Sequence, residues 1–238
     1  NDVEYRLVQE GVSNVALIVD AGSKRVFTYN AGTYTSPPDS ALTLQYNMMQ
    51  SEFTLTDWRT GEVSIFYSLT SLHPGRLKEK TTLEWRAAGQ SGSIYTYNVS
   101  HQVTQITSPD GQDYNIVFSY TGSKVTKIEV RTGADTSTRV RVVDYTYFSS
   151  GTHSADVGTD GDLVQVKTSS LKTGGNVDTP TDWIACYVQY RYGTGGLLKS
   201  VFSADDIARL IADRAESDDA GDILTKGDDD DNSGSEEY

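Results

Sequence analysis

Apolar and polar residues alternate with a period of two along most of this chain. Tyr114, Ile116, Phe118 and Tyr120 fall on one side, with Asn115 and Ser119 on the other. In the next run Ile128 and Val130 share a side opposite Lys127, Glu129 and Arg131. That period belongs to strands with one buried and one wet face. Gly122 between the two runs suits a tight hairpin, because glycine accepts positive φ without steric cost. Pro109-Asp110-Gly111 reads as a turn, with proline presetting φ and glycine taking the left-handed position. Further strands are predicted over residues 4–9, 15–20, 25–29 and 42–46, with a turn at Ala21-Gly22-Ser23-Lys24. Residues 53–57 and 62–66 read as a hairpin around Thr60-Gly61.

The pattern changes once, near the end. Ser203 is a good N-cap, and Asp205 and Asp206 follow in the first turn, where carboxylates favour the positive end of a helix dipole. Ile207, Leu210 and Ile211 then share one helical stripe, which predicts a short helix from about Ala204 to Ala215.

Through the strand-rich region a single phrase recurs: two aromatics, a turn with glycine, then an alternating strand. It reads Tyr95 and Tyr97 before Val103 to Thr107, and Phe118 and Tyr120 before Gly122 and Val125 to Arg131. It returns with Phe66 and Tyr67 before Gly75-Arg76-Leu77, with Tyr145 and Tyr147 before Gly161-Asp162-Leu163, and with Tyr190 and Tyr192 before Gly196-Leu197-Leu198. Steps between second aromatics are about 23 residues (97 to 120), 27 (120 to 147) and 45 (147 to 192). Strand pairs recur while loops vary, as in a repeat that tolerates insertions.

Gly75-Arg76-Leu77, Tyr95-Thr96-Tyr97-Asn98 and Thr107-Ser108-Pro109-Asp110-Gly111 resemble the YD repeat of the RHS and teneurin-like proteins. The resemblance runs from about residue 52 to 203. The aspartate usual after the second tyrosine is Asn98 in one copy and absent in others, and nothing matches the Asp-Pro-rich motif of the self-cleaving core domain. Five units are too few to close the hollow shell that the family can build. The resemblance therefore implies a short or fragmentary member, located outside the cell or on its surface. The expected fold is all-β: repetitive antiparallel hairpins forming an open, spiralling sheet, with one short C-terminal helix and an acidic tail. The expected segments are a strand-rich cap or diverged repeats (1–51), the hairpin repeats (52–203), the helix (204–216) and the tail (217–238).

Composition agrees with that reading. Of 238 residues 37% are hydrophobic, and 15 are tyrosine. Many Tyr, Thr, Ser, Val and Gly with few Leu suit an extracellular all-β protein better than a helical enzyme. The chain begins with Asn, and no signal sequence is visible, which suggests a processed chain or a fragment. The net charge of −13 is uneven. From Ser203 onward there are 13 acids and 3 bases, a net of −10, leaving −3 for the body. The acidity belongs to the tail. With 33 acids against 20 bases and no basic patch, nucleic acid is not an expected partner. No apolar span or basic amphipathic helix points to membrane insertion.

Candidate chemistry is sparse. Asp156, Asp160 and Asp162 share a glycine-rich loop, and calcium wants several carboxylate oxygens on a tight loop, but the spacing is not that of an EF-hand. Otherwise no cofactor is expected. His73, His101 and His153 fall in separate turns without metal-ligand spacing and read as surface turn residues. Cys186 shares a strand face with Ile184 and Val188 and reads as a small buried core residue; a single cysteine excludes an internal disulfide. Asn98-Val99-Ser100 is a glycosylation sequon in a turn. Protease, nucleotide-binding and hydrolase signatures are missing from the sequence. A carboxylate-based hydrolase stays open, since its two acids can come from distant strands. Two readings lead. One is a non-enzymatic building block of a fibre, shell or appendage, associating with itself or with other components of a YD-repeat assembly. The other is an adhesin module that binds a glycan or surface protein through long loops and exposed tyrosines.

Overall fold

The computed structural model describes residues 5–20, 23–38, 40–109, 114–132, 138–149, 158–193, 196–206 and 236–237. Strands β1 (Arg6–Glu10), β2 (Asn14–Asp20), β3 (Ser23–Asn30) and β4 (Thr33–Thr35) form a four-stranded sheet in chain order. A thirteen-stranded sheet follows, also in chain order and without a crossover. Its first strands are β5 (Leu42–Asn47), β6 (Glu52–Asp57), β7 (Glu62–Tyr67), β8 (Leu77–Thr81), β9 (Ser93–Tyr97), β10 (Val103–Thr107) and β11 (Tyr114–Thr121). It continues through β12 (Lys124–Thr132), β13 (Thr138–Tyr147), β14 (Leu163–Leu171), β15 (Trp183–Tyr192), β16 (Leu198–Ser203) and β17 (Glu236–Glu237). The architecture is the expected all-β array of antiparallel hairpins, and among the described residues the strand order is linear rather than closed. The chain divides into two compact units, Asn1–Val117 and Phe118–Tyr238.

Unit 1 has two layers. Leu7, Val15, Leu17 and Phe27 point from the small sheet into one apolar cluster with Leu44, Phe53, Leu55, Phe66 and Leu77 of the larger one. Each such side chain contributes about 1.5–3 kcal/mol on burial. Gly75 joins the layers. Leu7 N donates to its carbonyl at 2.8 Å. Its φ is +65°, and a Cβ there would collide with the Leu7 carbonyl. Only glycine meets both demands.

One helix escaped the sequence pattern. α1 (Leu83–Ala87) starts at Thr82, whose side chain accepts from Trp85 N, and Glu84 lies in its first turn. It closes with Gly89 N on Arg86 O and Gln90 N on Trp85 O, the double bond of a Schellman end.

Unit 2 is differently buried. Its apolar cluster comprises Phe148 and Val164, with Tyr192 packed on it. Register sets its faces. Lys127, Asp144, Lys167 and Tyr187 stand directly opposite one another across β12 to β15, and Glu129, Val142, Ser169 and Ala185 form the next row. The opposite face carries Ile128, Val143, Thr168 and Cys186 in one row.

Three local expectations are corrected. Cys186 is exposed, and its neighbour Ile184 keeps 61% of its surface; among the described residues of unit 2 no second sheet covers that face. Glu129, expected on the wet side, is buried, because Arg131 and Arg139 both pair with its carboxylate. At the start of β11 the faces are reversed: Tyr114 is exposed and Asn115 is buried, its Oδ1 accepting from Gln105 Nε2. At the C-terminus residues 204–206 are helical. Asp206 accepts from Ser203 N and Oγ, and Asp206 N donates back to Ser203 Oγ, a reciprocal cap of the expected kind. The rest of the predicted helix lies outside the described residues. So do the acidic tail, except 236–237, and Asp110-Gly111 of the expected turn.

Candidate functional site

The recurring sequence phrase is also a recurring geometry. Four hairpins carry a bulge at the same place. Ile65 pairs with Glu79 but Phe66 with Leu77; Gln105 pairs with Thr96 but Val103 with Tyr97. Thr146 pairs with Gln165 but Tyr147 with Leu163; Arg191 pairs with Ser200 but Tyr192 with Leu198. The extra residue is therefore Lys78, Thr104, Val164 or Lys199, always on the second strand of its hairpin. An aromatic ring faces Leu or Val beside every bulge. Bulges of this type bend the strand and raise its twist.

The aromatic then reaches back to the strand before its own. Tyr97 Oη donates to the Leu77 carbonyl at 2.8 Å, and Tyr147 Oη to the Val125 carbonyl at 2.8 Å. Tyr192 hydrogen-bonds the backbone of Leu163. Burial raises all three phenol pKa values, so each stays protonated at neutral pH. Lys124 tightens one copy: its Nζ donates to Gly161 O at 2.7 Å and sits 5.0 Å from the Tyr147 ring centre.

Unit 2 also holds a cleft. The loop after β14 folds back on itself: Asp182 accepts from Asn176 N at 2.9 Å, Lys172 Nζ donates to Thr181 O at 2.6 Å, and Trp183 Nε1 donates to Val177 O at 3.1 Å. This stands Val177, Asp178 and Pro180 beside the charged face of β12 to β15. The cleft is open to solvent, offers about 360 Å³ and is lined by Trp183, Lys127, Arg139, Lys167 and Asp144. Asp144 lies 3.9 Å from Lys127 and directly opposite Lys167. An indole wall beside cations can stack a ring and hold an anionic or hydroxyl-rich group.

Of the acidic residues singled out by sequence, Asp160 and Asp162 lie among the described residues. Asp156 lies outside the described residues. The Asp162 carboxylate accepts from Thr159 N and Oγ1, both at 2.8 Å, and so shapes its own turn. Among the described residues no group of three or more His, Cys, Asp and Glu side chains is placed to hold a metal ion.

Two of the histidines lie in separate turns, as expected, and are half-buried. His73 and His101 come together, Nδ1 to Nδ1, at 3.3 Å. Their rings are perpendicular at 89°, and His73 also lies 5.4 Å from the Tyr97 ring. Desolvation, then the neighbouring His101, lowers the His73 pKa. A sequence signal existed: each histidine follows the aromatic pair of its own repeat copy, and successive copies sit side by side. His153 lies outside the described residues. Asn98 of the sequon is committed locally, its Oδ1 accepting from Ser100 N and Gln102 N and its Nδ2 donating to Gln102 Oε1.

No protein-family model matches the sequence, and no curated protein is similar to it. Among solved structures the chain is similar to one titled "Structure of Photorhabdus luminescens Tc holotoxin pore, Mutation TccC3-D651A". The identity is 14% and the TM-score 0.32, over 81% of this chain and 11% of that one. The matched region is thus a small fraction of a much longer chain.

Proposed function

We propose that this chain is a non-enzymatic structural protein, a β-repeat building block of an extracellular or cell-surface fibre, shell or appendage. The observation that carries the reading is the shared bulge, at the same place in four hairpins, with a tyrosine bonding back to the preceding strand in three of them. A unit copied in this way is suited to extension, since each new hairpin finds its docking backbone on the one before. The resemblance of residues 52–203 to YD repeats supports the same reading. Light scattering on the full chain, with electron microscopy of material from its source, tests it. Regular fibres or shells are expected. A stable single-chain particle at both low and high concentration would sink the building-block role.

A second reading has its own observation. The cleft beneath Trp183 combines an indole with Lys127, Arg139 and Lys167, which favours a module that binds an acidic glycan or a protein carboxylate. Glycan-array binding lost in Trp183→Ala and Lys167→Ala would support this reading. Binding unchanged in both variants would remove the cleft from consideration.

A further inference from the structure

We propose that His73 and His101 form a two-imidazole site for a late first-row divalent ion, with Zn²⁺, Cu²⁺ and Ni²⁺ as the class. β7, β8, β9 and β10 are successive antiparallel strands, so the β7–β8 and β9–β10 connections emerge at one end of the sheet. His73 sits on the first and His101 on the second. Their Nδ1 atoms are 3.3 Å apart. Two nitrogens bound to one tetrahedral ion at about 2.0–2.1 Å are about 3.3–3.4 Å from each other. The spacing already matches the bite that an ion requires.

Both rings are held before any ion arrives. His101 has φ +62°, a conformation uncommon for residues other than glycine. The Asn98 turn enforces it: the side chain takes Ser100 N and Gln102 N, and the Asn98 carbonyl takes His101 N at 3.0 Å. His73 lies against Tyr67, ring centres 5.7 Å apart, and against Tyr97, which is itself pinned to Leu77 O. Pre-positioned ligands lose little rotamer freedom on binding. Both histidines remain partly exposed, so water completes the coordination shell.

The proton balance is simple. In the neutral pair one Nδ1 donates a proton to the other. When the ion takes both Nδ1 lone pairs, that proton moves through water to Nε2 of its own ring. Both imidazoles stay neutral and no electron changes hands. The donors also set the metal class: imidazole nitrogen suits zinc, copper and nickel, whereas calcium and magnesium want oxygen. This site therefore differs in its chemistry from the acidic loop. Bound metal would tie two neighbouring loop ends together and stabilise unit 1.

The test uses the full chain after treatment with a chelator. Calorimetric titration with Zn²⁺ should give one strong site per chain and a raised Tm, with no such response to Ca²⁺. His73→Gln should weaken binding by more than about tenfold. So should His101→Asn, chosen because asparagine tolerates the left-handed backbone and keeps the turn. Electron paramagnetic resonance of the Cu²⁺-loaded wild type should show coupling to two imidazole nitrogens, whether or not the variants fold. An oxygen-only Cu²⁺ spectrum, no Zn²⁺ response, or full affinity in both folded variants would overturn the proposal.

Discussion

In unit 1 Phe27 and Phe66 are fully buried, and Leu7, Val15 and Leu17 retain 1% of their surface. In unit 2 the apolar cluster is Phe148 and Val164, at 5% and 9%, and most strand residues are only half-buried. The strands themselves are similar, with the same alternation, the same bulges and the same tyrosines. What differs is a second layer: β1 to β3 lay four large side chains onto the larger sheet in unit 1. Among the described residues of unit 2 the sheet has instead hydrogen bonds between its tyrosines and the neighbouring backbone, and cross-strand charge. Alternation therefore assigns side chains to faces, but a covering layer decides which face becomes core.

Substitutions can break this contrast. The largest expected effect is at the two-layer core: Phe66→Ala should cost about 3–5 kcal/mol by chemical denaturation. A loss below that of Val164→Ala would contradict the layered reading. Next comes Gly75→Val. It forces a β-branched residue to φ +65° against the Leu7 carbonyl, and strain of this kind costs about 1–3 kcal/mol. Unaltered stability would mean that the two layers do not meet there.

The tyrosines sharpen the picture at smaller scale. Tyr147→Phe removes one hydrogen bond and leaves the Val125 carbonyl without that donor, an expected loss of about 1 kcal/mol. Alkaline pH should act in the same direction. The folded pKa values of Tyr97, Tyr147 and Tyr192 are raised by burial. Their stabilisation is thus complete below the unfolded tyrosine pKa of about 10 and is lost as pH rises toward the folded values. Denaturation midpoints that do not fall above that pH would contradict the locks. The smallest effect is Cys186→Ser, within about 0.5 kcal/mol. The same thiol should react fully with a maleimide in native buffer; protection would restore the buried assignment.

The physical limits of sequence reading show at particular residues. The strands near Leu17, Phe27 and Leu44 are legible because alternation and turn glycines agree there. The repeat is legible because the aromatic pair and the glycine turn recur in order. Cys186 misleads because its apolar neighbours Ile184 and Val188 mark a face without revealing its cover. Glu129 misleads because Arg131, two residues on along β12, is joined at its carboxylate by Arg139, which becomes a neighbour only through the β12–β13 register. α1 carried a readable signal, Thr82 before an acidic first turn and Gly89 after the last, hidden by its length of five residues. The cleft needs strands β12 to β15 and a folded loop together, so no short window contains it. His73 and His101 are 28 positions apart and meet only because adjacent repeats align their turns.

Native-state hydrogen exchange, followed residue by residue under mild denaturant, tests the contrast between the units most directly. The account predicts that amides of β2, β3, β6 and β7 exchange only by the largest opening, while those of β13 to β15 exchange through a smaller one. In Tyr147→Phe, the second opening should become easier and the first should be unchanged. Equal protection in both units, or a Tyr147→Phe effect spread evenly over the chain, would contradict it.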